Sequence, residues 1–237
     1  MIIEKTNKLK LTLPRVTADM PLEPKVKFPL PAKSGFCINI IGPAGSGKTS
    51  TMVSLVKSRD GYFRRFHHVI TVIPSSSLNS LRANPFRDLP DDQKYEELSL
   101  ENLQNIIETI EESREEDELT LLILDDISAQ LQDMDILKSL MRLFLNRRHL
   151  YLSIISISHS LTGKGALPYT VRKNCSHIVL FKPSCGLEVL NNEFLHLPKV
   201  RFKELIDYVY DKSHNHMMVE LNTGQIYKNF NTLILSQ

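Results

Sequence analysis

Apolar positions along this chain fall into short, nearly continuous runs separated by stretches with helical spacing, which predicts strands and helices in turn. Gly35-Phe-Cys-Ile-Asn-Ile-Ile41 reads as a buried strand, and Met52, Val53 and Val56 give Thr49 to Lys57 a helical face. His68-Val-Ile-Thr-Val-Ile73 is crowded with β-branched residues and stopped by Pro74, so it reads as the next strand. From Ser99, a candidate N-cap, Leu100, Leu103, Ile106, Ile107 and Ile110 share one helical face. Leu119 to Leu124, Tyr151 to Ile157 and Ser176 to Phe181 are further strands, and Ile136, Leu137, Leu140, Met141 and Phe144 mark a helix between the first two. Phe202 to Tyr210 reads as helical; Met217 to Leu221 and Gln225 to Phe230 then flank Asn-Thr-Gly as a hairpin. Such alternation predicts an α/β fold, a mainly parallel sheet flanked by helices, with a C-terminal β-hairpin.

The first 34 residues depart from this pattern. They hold five of the 12 prolines and seven of the 29 Lys and Arg residues, so a Pro-rich basic arm is expected over 1–34 and one folded domain over 35–237. The net charge of +2 conceals an acidic segment: Asp91 to Glu118 carries 12 acids against Lys94 and Arg114. The remainder is correspondingly basic, which is compatible with a polyanionic partner. Cys37, Cys175 and Cys185 are odd in number and lack metal-ligand spacing, so free thiols in a reducing compartment are expected. No apolar run reaches the roughly 18 residues of a membrane span, and the N-terminus has no signal-peptide core.

Chemistry enters between the first strand and the first helix. Gly42, Pro43, Ala44, Gly45, Ser46, Gly47, Lys48 and Thr49 fit G-x-x-x-x-G-K-[ST], the Walker A loop, with Ser50 next in the helix. Backbone N–H groups of such a loop cradle the phosphates of ATP, Lys48 reaches the β- and γ-phosphates, and the Thr49 hydroxyl ligates Mg²⁺. Asp125 and Asp126 close the strand Leu119 to Leu124 as a Walker B pair. Asp125 is the candidate metal ligand and Asp126 the candidate base for the attacking water. His68 to Ile73 lies between the two motifs in the chain, an order that suits the ASCE, RecA-like division of P-loop NTPases, where a strand is inserted between the motif strands.

Asn146-Arg147-Arg148-His149 precedes the strand Tyr151 to Ile157, which leads into Ser158-His159-Ser160. His159 can sense the γ-phosphate. An arginine eleven residues earlier lies at the strand's other end, so it could serve a neighbour's nucleotide in a ring, or simply complement the helix dipole.

These residues, together with Leu167-Pro-Tyr-Thr-Val-Arg172-Lys-Asn174, resemble the FtsK/HerA translocase superfamily over roughly residues 35–185, and within it the poxvirus-type genome-packaging ATPases of large DNA viruses and virophages. The resemblance implies ATP hydrolysis coupled to translocation of double-stranded DNA into a capsid by a ring of five or six subunits, with capsid or portal-vertex proteins as partners; a DNA helicase or replication-type ATPase of the same superfamily, or an ATP-dependent switch or scaffold for virion assembly, are the alternatives. It implies Lys48, Asp126, Arg148 and His159 as catalytic residues, Arg148 acting in trans with Arg172 as a second candidate, and a place in the virion or the virus factory of the host cytoplasm. The family usually has glutamine at the position of His159, and many relatives have glutamate at that of Asp126. DNA would be gripped by its phosphates without sequence preference. Lys57, Arg59, Arg64, Arg65 and the loop Gly163-Lys164-Gly165 are candidate contacts.

Overall fold

The computed structural model describes residues 20–79, 84–183 and 186–235. In chain order they form β1 (Cys37–Ile41), α1 (Lys48–Lys57), β2 (His68–Val72), α2 (Ser75–Asn79), β3 (Lys94–Tyr95), α3 (Leu100–Glu115), β4 (Thr120–Asp125) and α4 (Met134–Asn146). There follow β5 (Leu152–Ser158), α5 (Tyr169–Lys173), β6 (His177–Phe181), α6 (Leu187–Leu190), α7 (Lys199–Val209), β7 (His216–Glu220), β8 (Gln225–Lys228) and β9 (Asn231–Thr232). The described strands make one sheet in the order β3-β2-β4-β5-β1-β6-β7-β8-β9. Pairing is parallel from β3 to β6 and antiparallel from there on, where β7 and β8 form the expected hairpin.

The strand order corrects one expectation. His68–Val72 does not separate the two motif strands; it pairs with β4 on the far side, and β5 is the strand inserted between β1 and β4. Chain order and sheet order differ because crossover connections let a later strand slot between earlier ones. The ASCE arrangement therefore holds with a different strand as the insert.

Side chains alternate across the sheet, as a strand's period of two requires. Leu121 and Ile123 of β4 join Met52 and Leu55 of α1 on one face. Leu122 and Leu124 join Leu103, Ile106 and Ile110 of α3 and Ile136, Leu140 and Phe144 of α4 on the other. Toward the hairpin, Leu205 and Val209 of α7 continue that second layer against Ile178, Leu180, Met217 and Val219. Helix α3 begins as expected, with the Ser99 hydroxyl accepting from the Asn102 amide at 3.1 Å.

The leader residues 20–34 lie along the α1 face. Leu22 and Val26 are each 1% exposed and share the core with Phe36, Met52 and Tyr62. Amides pin the segment at both ends, Leu22 to the Ala32 carbonyl at 2.9 Å and Ser34 to the Met20 carbonyl at 2.7 Å. One ten-residue helix covers too little of that sheet face, and burying Leu22 and Val26 there removes apolar surface worth about 1.5–3 kcal/mol per side chain. The part of the expected arm before residue 20, and Cys185, lie outside the described residues.

Candidate active site

Parallel strands deliver their C-terminal ends to one edge, and loops there are where α/β sheets build ligand sites. At this edge β1 runs into the phosphate loop, β4 into Asp125 and Asp126, and β5 into His159. Gly42, the first residue of the loop, donates its amide to the Ser158 carbonyl at 3.2 Å and so ties the loop to the sensor strand. A Cβ at Gly42 would stand 2.7 Å from Phe181 Cβ and 2.8 Å from Ser46 Oγ, distances that only glycine avoids.

Lys48 Nζ donates to the Pro43 carbonyl at 2.8 Å, holding its ammonium over the loop. Burial pushes the Lys48 pKa down, while the negative charges of Asp125 and Asp126 push it up. Thr49 Oγ1 donates to Asp125 Oδ2 at 3.3 Å. Asp125 is 5% exposed, and this burial raises its pKa; the Thr49 hydrogen bond works in the opposite direction. A buried carboxylate meeting a hydroxyl beside a lysine is a site that gains from a divalent cation, and Mg²⁺ of this kind takes one or two protein oxygens plus phosphates and water. Among the described residues no cluster of three or more His, Cys, Asp or Glu could hold a metal ion. Ser46 Oγ is buried within the loop without a partner, a polar atom left for a ligand to satisfy.

Asp126 lies beyond the strand end in left-handed backbone, φ 55°, a conformation costly for a non-glycine residue and typical of functional positions. That turn carries its carboxylate to His159 Nε2, 3.3 Å away; both side chains are about half exposed. The structure thus assembles Lys48, Thr49, Ser50, Asp125, Asp126 and His159 on one edge.

The arginines are distributed differently. Arg147 is buried, with Nε donating to the Gly35 carbonyl at 2.9 Å and Nη1 to the Phe144 carbonyl at 2.7 Å, so it closes the end of α4. Arg172 is also buried, paired with Glu193 Oε1 at 2.6 Å and donating to the Leu167 carbonyl at 2.7 Å. Arg148 is exposed. It stands before β5, so the seven residues of that strand, about 3.3 Å each, put it roughly 20 Å from Asp126 of its own chain.

Sequence reasoning missed the loop before β7. His214 lies in left-handed backbone, φ 64°, and its Nδ1 approaches the Ser46 carbonyl at 3.1 Å. Ser213, His214, Asn215 and His216 close one side of a cavity of about 670 Å³ whose floor is Gly45, Gly47, Lys48 and Thr49. Nothing local in Ser213-His-Asn-His216 announces this; β7, the antiparallel neighbour of β6, carries the loop there. Of the candidate DNA contacts, Arg65 is engaged with the Phe63 and Arg59 carbonyls at 2.9 and 2.7 Å, and Arg64 lies over the Phe63 ring at 5.1 Å.

The family model described as Poxvirus A32 protein matches residues 28–226. Among solved structures, the genome packaging NTPase B204 from Sulfolobus turreted icosahedral virus 2, in complex with AMPPCP, aligns with a TM-score of 0.58 at 15% identity, covering 85% of this chain and 99% of that one. The DNA-packaging ATPase B204 from Sulfolobus Turreted Icosahedral Virus gives 0.52 at 12% identity, covering 82% and 97%. EssC (ATPases 2 and 3) from Geobacillus thermodenitrificans gives 0.51 at 17% identity over 78% of this chain and 42% of that one. At these identities the likeness shows a common P-loop ATPase fold. No curated protein matches the chain.

Proposed function

The chain belongs to the poxvirus A32 protein family, and from that premise we propose that it is a viral genome-packaging ATPase, hydrolysing ATP to drive double-stranded DNA into a capsid as a ring of five or six subunits. The observation that carries the reading is the division of the site: phosphate loop, acid pair and His159 share one edge of the sheet, while exposed Arg148 stands a strand's length away at the other.

Lys48 neutralises the β- and γ-phosphates, and the loop amides orient them for in-line attack. Thr49 and Asp125 are the residues that would hold Mg²⁺, which would supply Lewis-acid charge for the transfer. Asp126 accepts the proton of the attacking water, and His159, whose Nε2 lies 3.3 Å from that carboxylate, fixes its rotamer on the γ-phosphate side of the site. Arg148 completes the site of the adjacent subunit, where an arginine of this kind contributes about 10³–10⁵ in rate. Double-stranded DNA is held through its phosphates, and capsid proteins receive the ring.

Duplex-stimulated ATPase activity tests this. Wild type should be stimulated; Asp126→Asn and Arg148→Ala should each bind ATP without turnover; and mixing the two variants should restore part of the rate through interfaces that join an intact Arg148 to an intact Asp126. A strictly monomeric protein that hydrolyses ATP fully without DNA would refute the motor, and unwinding of a forked duplex would redirect the reading to a helicase.

A further inference from the structure

The carbonyls of the phosphate loop are held from two sources. Pro43 O accepts from the Ser46 amide at 3.3 Å and from Lys48 Nζ at 2.8 Å, and Gly47 O accepts from the Thr51 amide at 2.9 Å as α1 begins. These partners lie within the loop and its helix. The Ser46 carbonyl is instead met by His214 Nδ1 at 3.1 Å, from a residue 168 positions later in the chain. A carbonyl oxygen can only accept, so the His214 ring carries a proton on Nδ1 and donates through it.

The turn that presents this ring is braced by its neighbours. Asn215 Nδ2 donates to Asp211 Oδ1 at 2.6 Å, which also accepts from Lys228 Nζ at 2.8 Å. Asn229 Nδ2 donates to Asn215 Oδ1 at 2.6 Å, and Asn229 Oδ1 accepts from the His216 amide at 2.9 Å. The turns before β7 and after β8 thus form one unit, and His214 carries its hydrogen bond to the loop. His214 itself holds left-handed backbone, φ 64°, a conformation that a non-glycine residue keeps where its surroundings impose it.

A trans peptide is planar, so its C=O and N–H point in opposite directions. In the sheet, β7 and β4 lie on opposite sides of β1. Holding the Ser46 carbonyl toward the β7 side therefore turns the Gly47 N–H toward the β4 side, where Thr49 meets Asp125. We propose that His214 is a positioning residue of the phosphate loop, fixing the Ser46–Gly47 peptide so that the Gly47 amide faces the triphosphate before nucleotide arrives. The inference rests on the loop being the ATP site. It gives the C-terminal hairpin a part in phosphate binding by preorganisation, at a distance along the chain that no loop motif spans.

Calorimetric binding of ATP and of inorganic tripolyphosphate to the full chain tests this, with two variants of the exposed His214. His214→Gly suits the left-handed backbone and removes the donor. His214→Asn tolerates the same backbone and keeps an N–H at the same number of bonds from Cα. His214→Gly should weaken ATP and tripolyphosphate alike, about fivefold, the scale of one neutral hydrogen bond, and His214→Asn should recover most of that loss. In nucleotide-free wild type, ring-nitrogen NMR shifts should place a proton on His214 Nδ1. Unaltered affinities in His214→Gly, equal losses in both variants, a loss confined to ATP, or a ring protonated on Nε2 alone would each overturn the inference. Lys48→Ala that retained tripolyphosphate binding would instead count against the loop as the ATP site, leaving the two readings separable.

Discussion

Acid should destabilise this protein through two buried histidines. His177 faces His216 along the β6–β7 pair from its opposite end, His177 opposite Glu220 and His216 opposite Phe181. Burial lowers the pKa of each from 6.5 to about 4; Glu220 opposes the shift at His177, and the His214 backbone opposes it at His216. Both rings therefore stay neutral in the folded protein where the unfolded chain would charge them. The unfolded state binds more protons between about pH 6.5 and 4, so stability is full above that window and falls as pH drops through it. At pH 5 each histidine costs about 2 kcal/mol, together about 4, out of the 5–15 kcal/mol typical of a folded domain. With a urea m-value of about 3 kcal/mol per molar, the midpoint moves by about 1.3 M. Urea unfolding of wild type and of the His177→Gln, His216→Gln double variant at pH 7.5 and pH 5.0 measures it, since the difference between the two proteins cancels other titrating groups. Identical pH dependence in the two would refute the assignment of neutral rings.

Asp125→Asn should raise the melting temperature of the nucleotide-free protein, because burial already disfavours that carboxylate; in a domain this size each kcal/mol is about 2–4 °C by calorimetry. The same variant should lose Mg²⁺-dependent ATP turnover. Arg172→Ala removes the buried guanidinium and leaves half-buried Glu193 without that partner, so a stability loss of about 1–3 kcal/mol is expected in urea, with no rescue on mixing with Asp126→Asn; rescue would return Arg172 to the role of trans finger. Gly165 has φ +81°, and a Cβ there would meet Ser128 Cβ at 2.6 Å, whereas Gly163 at φ +96° has open space around it. Gly165→Ala should therefore lower kcat by disturbing the contact between the loops carrying Asp126 and His159, and Gly163→Ala should do so far less.

Much of the fold was legible in the sequence because its signals are short-range. The run Cys37–Ile41, the phosphate loop and α1 follow one another within about twenty residues, and the glycine, lysine and threonine positions are dictated by how a backbone wraps a phosphate. The apolar runs and helical spacings likewise placed β4, β5 and α4 to within two residues at each end, and the start of α3 at Ser99. Arginine roles were not legible: Arg147 and Arg148 are adjacent in sequence, yet one is buried against Gly35 and the other exposed, a distinction set by where α4 ends against the leader.

The sequence by itself determined the phosphate loop, the acid pair and the strand–helix alternation, since each is fixed by neighbours along the chain. Only the tertiary structure decided that β5 lies between the motif strands, that Asp126 meets His159, that His214 closes the phosphate loop 168 residues upstream, and that Leu22 and Val26 complete the α1 face. Those contacts join residues far apart in the chain, and packing selects them by asking which surfaces can be buried together, a quantity that no local pattern encodes.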